Sequence, residues 1–286
     1  MRIVKTVREM QQLSRQLKQN GKTIGFVPTM GFLHEGHLSL IREARQRANV
    51  VVVSIYVNPT QFGPNEDFEK YPRDFARDEA LCKNEGVDIV FYPTNEEMYP
   101  KPFLTTVSVA NITETMCGAA RPGHFQGVTT VVAKLFNIVQ PHFAVFGEKD
   151  FQQALVIKQM VRDLNFDLEV ITAPIVREAD GLAMSSRNRY LSPEKREQYL
   201  SLYKSLQLAQ KMVSEGERNI EKIRQRIWSE IEQYPEAKID YIALVSPSTL
   251  QAVDEVDGPV LCALAVKFEG VRLIDNMILE PVKKEK

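Results

Sequence analysis

Apolar residues recur at helical spacing through residues 5–20 (Val7, Met10, Leu13, Leu17) and stop at Asn20-Gly21, a helix-ending pair. A short apolar run, 23–27, then halts at Pro28. Gly31 allows the backbone to turn, and an amphipathic stretch from Leu38 carries a helix to about residue 48. Residues 50–57 are an almost unbroken β-branched run, the pattern of a parallel strand covered on both faces. A helical pattern at 74–85 precedes a short strand at 87–92, and 93–125 is rich in loops and proline. Helix 126–139 leads into strand 143–146, which runs directly into Gly147-Glu148-Lys149-Asp150 and a helix reaching 163. A last strand at 168–173 closes the series. Strands alternating with helices predict an α/β fold, a doubly wound, Rossmann-like parallel sheet.

The pattern changes after residue 176. A polar loop, Asp180 to Asn188, precedes helices near 193–214 and 219–233, then strands at 238–245, 259–267 and 271–279, the last two joined by a tight turn at Glu269-Gly270. This predicts a smaller C-terminal α+β domain with an antiparallel sheet, dividing the chain into 1–176 and 177–286. The tail Lys283-Lys284-Glu285-Lys286 reads as a solvated end.

Composition narrows the function classes. A net charge of −1 over 286 residues gives no polyanion-binding surface, which argues against nucleic acid as a partner. The N-terminus has no signal-peptide apolar region, and no apolar run approaches roughly 18 residues, so a cytoplasmic protein without a membrane span is expected. The three cysteines, Cys82, Cys117 and Cys262, are far apart and form no metal spacing.

In a doubly wound sheet, ligands bind at the carboxyl ends of the strands. Three polar segments fall there. His34 and His37 sit three residues apart at a helix N-terminus, where unpaired N–H groups and the helix dipole favour an anion; helix capping is the plainer alternative. The pair lacks a third ligand at a workable distance, which argues against zinc. Gln61 lies on the loop leaving the second strand. Lys149 and Asp150 open a helix directly after a buried strand, and Gln153 follows one turn in; a surface ion pair is the bland reading. Farther on, Met184-Ser185-Ser186-Arg187 offers two hydroxyls and a guanidinium, although polar segments also serve as ordinary linkers. No Gly-x-Gly-x-x-Gly or Walker A pattern is present.

Taken together, Pro28-Thr29-Met30-Gly31-x-Leu33-His34-x-Gly36-His37, Asn58-Pro59-x-Gln61-Phe62, Tyr71-Pro72-Arg73, Arg121-Pro122-Gly123-His124-Phe125, Gly147-Glu148-Lys149-Asp150-x-Gln152-Gln153 and Met184-Ser185-Ser186-Arg187-Asn188 resemble the pantoate–β-alanine ligase family in order and spacing. That family is part of a nucleotidyltransferase superfamily that includes class I aminoacyl-tRNA synthetases. His34-x-Gly36-His37 resembles its HIGH signature, and Met184–Arg187 its KMSKS equivalent.

The resemblance implies AMP-forming ligation of pantoate and β-alanine to pantothenate through a pantoyl adenylate, with ATP as co-substrate and Mg²⁺ as a phosphate partner. It implies ATP contacts from Met30, Gly31, Phe32, Leu33, His34, Glu35, Gly36 and His37. It also implies them from Gly147, Glu148, Lys149, Asp150 and Val176, and from Met184, Ser185, Ser186 and Arg187. His34, His37 and Lys149 would be catalytic, His37 as either a proton donor or a purely electrostatic group. Gln61 and Gln153 would bind pantoate and β-alanine. Asp78 would contribute near the metal, Arg121 near the site entrance, and a homodimer is expected. An aminoacyl-tRNA synthetase-like enzyme is disfavoured by the neutral charge and the absence of an anticodon-binding extension. A catalytically silent nucleotide binder is disfavoured because every motif position is present.

Overall fold

The structure, a computed structural model, describes residues 1–64 and 66–281; the tail from Lys283 to Lys286 lies outside the described residues. Two compact units divide it, Met1–Thr113 with Arg121–Val176, and Glu114–Ala120 with Arg177 onward.

In chain order the first unit contains β1 (Arg2–Val4), α1 (Val7–Gln19), β2 (Ile24–Thr29), α2 (Glu35–Arg47), β3 (Val50–Ile55), α3 (Phe75–Asn84), β4 (Ile89–Phe91) and α4 (Asn95–Met98). A seven-residue excursion carrying α5 (Met116–Ala120) belongs to the second unit. The first unit then resumes with α6 (His124–Val139), β5 (Phe143–Gly147), α7 (Phe151–Asp163) and β6 (Glu169–Ala173).

The six strands form one parallel sheet in the order β1-β4-β3-β2-β5-β6. Alternate residues of the β-branched strands serve opposite faces, as their period of two requires. Val27, Val51, Val53 and Val145 pack with Leu38, Ile41 and Ala44 of α2 and Cys82 of α3. On the other face Phe26 and Phe146 meet the Phe136 ring of α6, with centroids 6.4 and 6.5 Å apart. Helices therefore cover both faces, which is why β3 has almost no polar residue. From β2 the chain winds outward through β3 to β4, then restarts on the opposite side with β5 and β6. The switch point thus lies between β2 and β5, whose carboxyl ends carry Pro28–His37 and Gly147–Asp150. That crevice is where such sheets take ligands.

The second unit contains α8 (Arg196–Ser214), α9 (Ile220–Glu232), β7 (Lys238–Val245), β8 (Val260–Phe268) and β9 (Val271–Leu279). The strands form an antiparallel sheet in sequence order. Tyr199, Leu206, Ile223 and Ile227 of the helices share its core with Leu264 and Phe268.

Two features depart from the sequence reading. Arg2–Val4 forms an edge strand paired with β4, too short at three residues to register as a pattern. The division expected at 176/177 is interrupted by Glu114–Ala120, which groups with the second unit. Cys117 explains this: its Sγ lies 3.2 Å from the Tyr241 hydroxyl of β7 and 3.5–3.6 Å from the Arg272 guanidinium of β9.

Candidate active site

The turn between β2 and α2 is held by groups that only the fold brings together. Thr29 Oγ1 donates to the Ser54 carbonyl (2.8 Å) and accepts from Gly31 N–H (3.1 Å), tying the turn to β3. Gly31 has φ +81° and Phe32 φ +50°, a left-handed conformation that costs a non-glycine residue free energy. The compensation comes from Asp78 on α3. Its side chain is only 1% exposed, Oδ2 accepts from Phe32 N–H and Oδ1 from Leu33 N–H, both at 2.7 Å. Arg77 completes the brace, donating to the Leu33 carbonyl (2.8 Å) with its guanidinium 5.1 Å from the Phe32 ring centroid.

This turn delivers the N-terminus of α2. His34 is its N-cap, and its Nδ1 accepts from Gly36 N–H (3.2 Å); His37 Nδ1 accepts from His34 N–H (3.3 Å). An Nδ1 that accepts carries no proton, so both neutral rings hold theirs on Nε2. The capping and the functional readings are therefore the same geometry: each ring is a cap through Nδ1 and a hydrogen-bond donor through Nε2. The rings lie 4.1 Å apart. Burial, then the charge of Lys149, lowers His34 to about 4, with Asp150 acting weakly the other way. Burial, then His34 and Lys149, holds His37 well below its ordinary value. Both shifts favour the neutral ring. β2 and β5 are neighbouring parallel strands, so the β2–α2 and β5–α7 loops leave the same edge of the sheet.

Gln61 is buried on the short turn Pro59–Gln61 after β3. Its orientation is fixed by Asn58. Asn58 Oδ1 accepts from Tyr99 hydroxyl (2.8 Å) and Thr60 Oγ1 (3.0 Å), so its Nδ2 must donate, reaching Gln61 Oε1 and the Gly127 carbonyl of α6, each at 3.1 Å. With its oxygen occupied, Gln61 presents Nε2–H₂, which sits 3.2 Å from Met30 Sδ. The approach of α6 is close: a Cβ on Gly127 would stand 2.3 Å from the Thr60 carbonyl oxygen.

The Gln61 backbone carbonyl is held separately. His124 Nδ1 donates to it (2.9 Å), leaving Nε2 to accept from Arg121 at 3.0 Å. Burial, then the Arg121 charge, lowers His124 to about 4. Arg121 forms a two-pronged pair with Glu66 at 2.6 and 2.7 Å. Burial opposes the ionised Glu66, but the Arg121 hydrogen bond and charge outweigh it and hold that carboxyl below its usual range. Arg121 thus braces the loop carrying Gln61.

Gln153 is half-buried at the third position of α7, on the same element as Lys149 and Asp150 at its entrance. Val176 ends the first unit three residues beyond β6. The Glu35 carboxylate is engaged by Arg42 on the surface of α2, so what this residue offers an anion is its N–H at the helix end. Met184 to Arg187 lie in the second unit, and the segment is a built loop rather than a plain linker. Ser185 caps a helical turn by accepting from Arg187 N–H (3.2 Å), Ser186 is buried, and Asn188 donates to Glu178 (2.7 Å) and the Ala183 carbonyl (3.1 Å). Arg177 anchors the base of this loop on Asp275, at 2.7 and 2.9 Å, with its guanidinium 3.9 Å from the Tyr203 ring centroid.

Asp78, expected near a metal, turns each of its oxygens to a backbone N–H group, at 2.7 Å each. Among the described residues, no group of three or more His, Cys, Asp or Glu side chains could hold a metal ion. Sequence reasoning missed Asn58 as the group that orients Gln61, and Glu66 as the partner of Arg121. Asn58-Pro59 beside Gln61 is visible as a motif, but nothing in the linear order tells that Tyr99 and Gly127 close around it.

Residues 2–278 match the family described as pantoate-beta-alanine ligase. The chain is 56% identical over 279 residues to the pantothenate synthetase of Thermotoga petrophila, covering 98% of this chain and all of that one. It is 56% identical over 280 residues to that of Moorella thermoacetica, covering 98% and 99%. Among solved structures, pantothenate synthetase from Thermus thermophilus superposes with a TM-score of 0.93 at 46% identity, covering 98% of this chain and 100% of that one. The Francisella tularensis pantoate-beta-alanine ligase, described as complexed with beta-gamma ATP and beta-alanine, gives 0.79 at 36% identity with 97% of each chain covered. The chain belongs to the pantoate–β-alanine ligase family.

Proposed function

We propose that the chain joins pantoate to β-alanine in two steps at the β2/β5 switch point. In the first, a pantoate carboxylate oxygen attacks the α-phosphorus of ATP, the bond to the β-phosphate oxygen breaks, and pyrophosphate leaves. In the second, the amine of β-alanine attacks the acyl carbon, AMP departs with the phosphate oxygen, and the amine loses a proton as the amide forms. Adenylation is needed because a carboxylate is a poor electrophile, and the adenylate supplies a leaving group.

The observation that carries this reading is the helix N-terminus of α2, with two Nε2–H donors and Lys149 beside it. Negative charge grows on the phosphate oxygens in the first step, and preorganised donors in a buried site stabilise charge as it develops. On this reading His37 acts as a neutral hydrogen-bond donor. A buried ring whose Nδ1 already accepts from the backbone is a poor source of a full proton near neutral pH. Gln61, whose Nε2–H₂ faces Met30 rather than Asn58, suits the carboxylate and hydroxyl oxygens of pantoate, and Gln153 adds a second amide. Met30, Gly31, Gly147, Asp150 and Val176 line the nucleotide site. The family resemblance assigns Ser185, Ser186 and Arg187 to ATP as well.

Mg²⁺ is read as arriving with ATP, bound through phosphate oxygens and water. The ATP and β-alanine of the Francisella tularensis complex support these substrates. A homodimer, the commonest soluble assembly, and a cytoplasmic location complete the reading. Among the described residues no helix is long and apolar enough to cross a membrane.

The test is product identity. Incubation with ATP, pantoate and β-alanine should yield pantothenate, AMP and pyrophosphate in equal amounts. Formation of ADP and inorganic phosphate instead would mean activation by phosphoryl rather than adenylyl transfer.

A further inference from the structure

Asp78 is a buried carboxylate outside the groups that meet substrate. Its two oxygens accept two consecutive backbone N–H groups, those of Phe32 and Leu33, at 2.7 Å each. Those are the residues between the left-handed Gly31 and His34, the cap of α2. Two short charge-assisted bonds to adjacent amides fix the peptide planes on either side of Phe32, and hence the direction in which α2 begins. The fit extends to Gly31, where a Cβ would stand 2.9 Å from both Asp78 Oδ2 and Ile55 Cγ2. Arg77 holds the opposite edge of the same turn through the Leu33 carbonyl.

We propose that Asp78 is a positioning residue for adenylation, clamping the turn at Phe32 and Leu33 so that the Nε2–H groups of His34 and His37 meet the phosphates. It acts through the turn and touches neither substrate nor metal. This inference rests on the adenylation reading given above. Misplacing preorganised donors by a fraction of an ångström is enough to slow a reaction that depends on them. The clamp therefore has a kinetic consequence separable from its contribution to stability.

Asp78→Asn tests it. The amide keeps the volume but offers one acceptor oxygen where two N–H groups point, so one bond is replaced by a donor facing a donor. Pantoate-dependent ATP–pyrophosphate exchange is measured below the melting temperature, alongside wild type. We expect the KM for ATP to rise and the exchange rate to fall, each by roughly 10-fold or more, with the KM for pantoate much less affected. If Asp78→Asn does not fold, Arg77→Ala carries the test. Arg77 is 44% exposed, so its loss leaves the core intact. It should raise the KM for ATP by about threefold while the melting temperature barely moves. A folded Asp78→Asn or Arg77→Ala with wild-type exchange kinetics overturns the proposal. So does an Asp78→Asn defect that disappears at high Mg²⁺, which would make Asp78 a metal ligand. Absence of exchange in the wild type would instead count against the adenylation reading itself.

Discussion

At the scale of single residues, the chemistry rests on how two imidazoles are held. The sequence puts His34 and His37 at a helix start, but says nothing about which nitrogen faces outward. The structure turns both Nδ1 atoms to backbone N–H groups, and burial beside Lys149 takes His34 to about 4 and His37 well below its ordinary value. The sign of the pH effect follows. Both shifts favour the neutral ring, His34 down to about 4 and His37 well below its ordinary value, so pantoate-dependent exchange should be level between pH 6 and 8 as far as these groups decide it. Glutamine places an amide N–H near the position of a histidine Nε2–H. His37→Gln should therefore be roughly 10-fold or more faster than His37→Ala. An exchange rate that changes with a midpoint near 6.5, the ordinary histidine value, or a His37→Gln variant as slow as His37→Ala, would instead make His37 a proton donor. Asp78 shows the limit of motif reading. The family resemblance alone places it near a metal, and no linear signal shows that its carboxylate accepts from the Phe32 and Leu33 N–H groups.

At the scale of elements, the hydrophobic periods locate the sheet and most helices. The β-branched run at 50–57 becomes β3, and the spacing of Val7, Met10, Leu13 and Leu17 becomes α1. Where local signal is thin, tertiary pairing decides. β1 exists because Arg2–Val4 pairs with β4. α6 begins at His124, two residues earlier than its pattern suggests, after a left-handed Gly123 with no side-chain cap. The helix expected from 193 starts as a separate turn, Pro193–Lys195, before α8. The contact between the Pro59–Gln61 turn and α6 also has a functional reading, because Asn58 joins them and sets the face that Gln61 shows. Asn58→Asp preserves the acceptor side toward Tyr99 and Thr60 but sets an oxygen against Gln61 Oε1 and the Gly127 carbonyl. Gln61 then has to reverse its amide. The KM for pantoate should rise by roughly 10-fold or more, with that for ATP little changed. An unchanged pantoate KM would show that Asn58 does not set the orientation of Gln61.

At the scale of the whole molecule, the alternation of strands and helices is enough to place three loops at one edge of a parallel sheet. The strand order then puts the switch point between the loops bearing the histidines and Lys149. What the alternation could not reveal is that Glu114–Ala120 belongs with the second unit. A seven-residue segment carrying one Cys117 has no periodicity to announce its partners, and only Tyr241 and Arg272 show where it goes. The Met184–Arg187 segment, equally consistent with a linker, proves to be capped and anchored within its own unit. These features support one central claim, that the site activates pantoate as an adenylate before β-alanine takes part. The most direct measurement is exchange of labelled pyrophosphate into ATP with pantoate present and β-alanine omitted, and with an L-amino acid replacing pantoate as the control. The account predicts exchange with pantoate and none with the amino acid. Exchange that appears only when β-alanine is added, or that proceeds with the amino acid instead, would contradict it.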